Sequence, residues 1–125
     1  MSNYDLEEDY LLKIQICLSI IFIFTVFVSI SLSYNSMISL EERDKLYSDE
    51  DALNILKLNR LISLLVALGF VLINIYDKYV KEKYDLDKGE ADLQILASIM
   101  TLISSIIVLY VAFSSDSSII NNENP

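Results

Sequence analysis

The sequence predicts an all-α integral membrane protein with three transmembrane helices, the second of which projects beyond the bilayer. Two long charge-free runs and one shorter apolar run with charges at its edges carry this reading. No charged residue occurs from Ile14 to Leu40, or from Leu93 to Ser115. As helices these runs measure ~40 and ~34 Å at ~1.5 Å per residue, longer than the ~30 Å hydrocarbon core of a bilayer. A water-soluble helix would carry charge on one face every few residues. The 125-residue chain is 54% hydrophobic with a mean hydropathy of +0.45, high for a soluble domain of this size.

The first span is expected over about 14–36. Its leader, MSNYDLEEDYLLK, is acidic where a signal peptide would be basic, and the apolar run is too long for a signal core. This segment is therefore expected to be retained.

The second span is expected over about 58–77. Leu61–Tyr76 alone gives only ~24 Å, but counting from Leu58 gives ~28 Å. Asn59 and Arg60 then occupy the first turn, where the long stems of Lys57 and Arg60 can snorkel to the headgroups. Tyr76 and Tyr79 suit the opposite interface. Ser48-Asp49-Glu50-Asp51 has the form of a capping box. Gly89 is the first plausible C-cap glycine, so helix 2 is expected to run from about 49 to about 88. Its projection offers Lys78–Glu82, Lys81–Asp85 and Lys83–Asp87 as i,i+4 pairs.

The third span is expected over about 93–114, and residues 1–115 form one domain. The serine- and asparagine-rich residues 116–125 read as a disordered polar tail. A short echo, LNIL at 53–56 and LQIL at 93–96, is what chance gives in a Leu/Ile-rich chain.

Charge and residue usage exclude several function classes. Nine Lys and Arg stand against eighteen Asp and Glu, a net charge of −9, which disfavours nucleic acid as a partner. With no His and one Cys, no metal and no cofactor is expected. No catalytic motif occurs, and Cys17, flanked by Ile16 and Leu18, reads as an apolar filler. The apolar runs hold no Asp or Glu, and no span contains proline, which argues against a secondary transporter.

Helices in a bilayer associate through small residues and interhelical hydrogen bonds. The candidate packing stripes are Thr25, Ser29 and Ser33 on helix 1, Ser63 and Ala67 on helix 2, and Ala97, Thr101 and Ser105 on helix 3. Asn54, Lys57 and Arg60 share a helical face as a candidate interfacial basic notch. Asn59, Asn74, Gln15 and Gln94 fall near interfaces within reach of water.

These readings point to a small non-enzymatic membrane protein of accessory, immunity or scaffold type, working by helix–helix association with a membrane partner. The alternative is a self-assembling pore of the holin kind, similar in size and span count only. A basic tail is typical there, and this tail has Asp116 and Glu123 but no Lys or Arg. The expected partners are the lipid bilayer and a membrane protein or a second copy. A bacterial cell membrane is the expected location. Lys13, Lys78, Lys81, Lys83 and Lys88 on one side against Arg43, Lys45, Lys57 and Arg60 on the other favour the N-terminus inside and the C-terminus outside.

Overall fold

The computed structural model describes residues 2–123, with only the helical backbone described over 115–123. It is all-helical: α1 (Asn3–Leu40), α2 (Asp49–Lys83) and α3 (Gly89–Glu123). All three are long and apolar enough to cross a membrane. Only 11%, 22% and 11% of the residues in their most apolar stretches are buried within the protein, so most of the apolar surface awaits another apolar phase. The expected tail over 116–125 falls on residues whose side chains, and at 124–125 whose backbone, lie outside the described residues.

α1 begins eleven residues before the apolar run. Ser2 caps it, its hydroxyl accepting from Asp5 N at 3.1 Å while the Asp5 carboxylate accepts from Ser2 N at 3.2 Å. This reciprocal capping box makes the acidic leader helical. At α2 the expected cap is present, with Ser48 Oγ accepting from Asp51 N at 3.1 Å.

The end of α2 corrects the sequence reading. The helix stops at Lys83, not near residue 88, and Gly89 opens α3 instead of capping α2. Tyr84 is the C-cap, and Asp85 takes the left-handed conformation at φ 55°. Leu86 N donates to Lys81 O at 2.8 Å and Asp85 N to Glu82 O at 3.2 Å, the two bonds of a Schellman turn. α1 ends the same way, with Glu42 at φ 58°, Arg43 N bonded to Ile38 O and Glu42 N to Ser39 O.

Ending α2 there also redirects its cations. Asp85 and Asp87, the expected i,i+4 partners of Lys81 and Lys83, lie past the helix, and Lys78 turns to Asp92 on α3. Lys78 pairs with Asp92 (2.7 Å), Lys81 with Asp77 (3.1 Å) and Lys83 with Glu7 (3.0 Å), while Glu82 faces Lys88 at 3.8 Å.

α2 is the central helix. It packs against both neighbours, whereas no Cα of α1 comes within 8 Å of one in α3 among the described residues. The contact seams repeat every seven residues. On α1 they run through Leu11, Leu18, Thr25 and Leu32, on α2 through Asn59, Val66, Ile73 and Val80, and on α3 through Ala91, Ser98, Ser105 and Ala112; all twelve are buried or half-buried. Such a repeat is the mark of left-handed, knobs-into-holes packing. Gly69 lets α1 approach closely, since a Cβ there would lie 3.0 Å from Leu18 Cδ1.

Candidate functional site

Two polar features arise from this arrangement. The first follows from the separation of α1 and α3. Between them, floored by α2, lies a cleft of ≈ 600 Å³ lined by Thr25, Ser29 and Ser33 from α1, Arg60 and Ser63 from α2, and Thr101 and Ser105 from α3. Apolar side chains, among them Phe22, Val26, Met37 and Val108, complete its walls. Of the other two stripe residues, Ala67 is buried on α2 next to the seam residue Val66, and Ala97 is exposed outside the cleft.

Most hydroxyls in the cleft are already engaged. Thr25 Oγ1 donates to Phe22 O (2.6 Å), Ser63 Oγ to Asn59 O (2.9 Å), Thr101 Oγ1 to Ala97 O and Ser105 Oγ to Thr101 O (both 3.0 Å). These bonds return to each residue's own helix, as serine and threonine do where no water serves them. Beside the Arg60 side chain and the larger apolar walls, the cleft therefore presents several small hydroxyl side chains bonded within their own helices.

Asn54, Lys57 and Arg60 point to different surroundings. Asn54 is exposed, the Lys57 ammonium lies 5.2 Å from the Phe113 ring centroid on α3, and Arg60 lines the cleft.

Two asparagines join the helices. Asn59, 4% exposed, donates from Nδ2 to Thr25 O (3.2 Å) and Ser29 Oγ (3.1 Å), tying α2 to α1. Asn74 donates to Gln94 O (3.3 Å) and Ser98 Oγ (3.1 Å), tying α2 to α3. The sequence reading places both near interfaces within reach of water, because they flank the second span. Both amides instead face a neighbouring helix. The missed signal is the seven-residue spacing of Asn59 from Val66 and of Ser98 from Ala91 and Ser105. Asn35, also buried, accepts from Tyr47 N at 3.0 Å and holds the α1–α2 turn against α1.

The second feature lies where the N-terminal turns of α1 meet the C-terminal end of α2. Asp77 is 8% exposed; its Oδ2 binds Lys81, while its Oδ1 is sealed from solvent with no donor. Glu8 Oε2 and Glu7 Oε2 are likewise sealed and without a donor. Burial raises the Glu8 pKa, reinforced by its hydrogen bond to Asp77 and by the Asp77 charge, with Lys81 opposing. Burial also raises Tyr4, followed by the charge of Glu8. The hydrogen bond to Asp77 raises Lys81. The Tyr4 ring meets Tyr84 edge-on at 5.5 Å, closing one side of the cluster.

Among the described residues no group of three His, Cys, Asp or Glu side chains is arranged to hold a metal ion. The chain matches no family model, and comparison with curated proteins and with solved structures finds no similar protein.

Proposed function

We propose that this is a small non-enzymatic integral membrane protein that crosses the bilayer three times and works by receiving a helix of a membrane partner between α1 and α3. The observation that supports it is the cleft itself: two outer helices that share a central neighbour and leave a gap in which Ser and Thr residues of both outer helices stand among apolar side chains and Arg60. In lipid, close packing at small residues is a main source of helix association. The internally bonded hydroxyls suit a packing surface, because they need neither water nor an ion to satisfy them.

In this reading the N-terminal turns of α1 and the C-terminal turns of α2 stand outside the bilayer together. Five basic residues against four support putting that side in a bacterial cytoplasm and the α1–α2 turn outside. Extraction in mild detergent should recover the protein with a stoichiometric membrane partner, and photo-crosslinkers at Ser33 and Thr101 should capture it. Recovery of the chain alone and monodisperse in several detergents would count decisively against an accessory role.

The cleft also gives the pore reading its one favourable observation, since hydroxyl faces of two helices line a single space. A homo-oligomeric pore requires that space to be wet. Cysteines at Ser33 and Thr101 should then react with a thiol reagent that needs water, and controlled expression should depolarise a bacterial host. Unreactive cysteines and an intact membrane potential leave the accessory role.

A further inference from the structure

The carboxyl groups of Glu8 and Asp77 approach one another from different helices, and each has an oxygen that no N–H or O–H serves. Two unserved acceptor oxygens in a sealed site repel if both groups are ionised. A single proton between them satisfies both, turning one acceptor into a donor. Lys81 decides where it resides. Its ammonium binds Asp77 through Oδ2 at 3.1 Å, and the proton is accordingly assigned to Glu8, which burial raises.

We propose that Glu8 and Asp77 form a proton-binding site, in which one shared proton latches the N-terminal segment of α1 onto the C-terminal end of α2. The surrounding charges are consistent with this. From α1, Tyr4, Asp5 and Glu7 face the region; from α2, Asp77, Lys81, Lys83 and Tyr84 do. α3 does not pack on α1, and its Asp92 is engaged by Lys78. Lys83 neutralises Glu7 at 3.0 Å, so the uncompensated negative charge of the junction falls on Glu8 with Asp77. Loss of the proton places two carboxylates against each other with one ammonium between α1 and α2, and the helices part there. Farther along the seam, the approach of Leu18 to Gly69 and the Asn59 hydrogen bond to Thr25 O keep them together.

The test is an infrared titration of the full chain in lipid nanodiscs, with glutamate isotope-labelled so that its protonated carboxyl stretch is identifiable. In parallel, the distance between spin labels at Leu6→Cys and Tyr79→Cys is measured, in a Cys17→Ser background. Both labelled positions are more than half exposed. One glutamic acid band should persist above the ordinary value of 4.5, and the label distance should lengthen as that band disappears. Glu8→Gln, whose amide still donates to Asp77, should remove the band and keep the distance short at every pH. Asp77→Asn should move the Glu8 titration toward the ordinary value, leaving the part that burial supplies. A wild-type protein whose glutamates all titrate normally overturns the site. A band that survives Glu8→Gln, or a distance indifferent to its loss, overturns the latch.

Discussion

Asn59 sits one residue from Arg60, yet it is 4% exposed and donates two hydrogen bonds to α1. A side-chain amide facing apolar surroundings gains its partners only by turning toward another helix, so Asn59 fixes both rotation and depth of α2 against α1. Interhelical bonds of this kind contribute about 1 kcal/mol. Asn59→Ala should therefore destabilise the fold by about 1 kcal/mol, and Asn74→Ala, at a less buried site, by less, as read from denaturation in mixed micelles. A titratable residue gives a second prediction. The raised pKa of Glu8 means that the folded chain holds a proton the unfolded chain would release. Stability is then highest at acid pH and falls as pH climbs from about 4.5 through the raised value. Lys81, also raised, contributes stability that is complete below about 10.5 and is lost only above it, so the fall that begins above 4.5 belongs to Glu8. Glu8→Gln should flatten that slope in a pH series of unfolding curves.

The helices themselves were legible because exclusion of charge is a property of the chain in one dimension. Ile14–Leu40 and Leu93–Ser115 announce themselves, and Ser48 caps α2 as its spacing implied. Helix ends were harder where the expected glycine was not used. α1 and α2 both reverse on an acidic residue held at positive φ, Glu42 and Asp85, a conformation that costs a residue with a Cβ about 1 kcal/mol. Asp85→Gly should stabilise the fold by about 0.5 kcal/mol, the gain being reduced by the looser unfolded chain, and a small rise in thermal midpoint would register it. Gly69 behaves oppositely. Gly69→Ala needs only a small shift of the flexible end of Leu18, whereas Gly69→Leu should push α1 off α2 and destabilise by about 1–3 kcal/mol. Crosslinking between cysteines on facing turns of α1 and α2 would report that separation.

At the scale of the whole molecule, the order of packing was the least legible property. When both the inward and the outward faces of a helix are apolar, hydrophobicity cannot say which way it turns. The informative pattern was the seven-residue recurrence of small residues at Ala91, Ser98, Ser105 and Ala112, which the i,i+4 stripes through Ala97 and Thr101 cut across. The three-span reading makes its own claim: reporter fusions after residue 45 and after residue 88 should give opposite topology signals. Equal signals would remove one of the spans.

The lack of contact between α1 and α3 has a mechanical corollary. A closed ring of three helices resists shear, because each angle is fixed by the other two. Here the contacts form an open line, α1 to α2 to α3, and the dihedral between the outer pair is a soft coordinate with α2 as its spine. Lateral pressure, bilayer thickness or an inserted helix can do work along that coordinate without breaking either interface. A change at the far end of α1, where Glu8 meets Asp77, tilts one cover of the book and alters the width of the gap that the other cover faces.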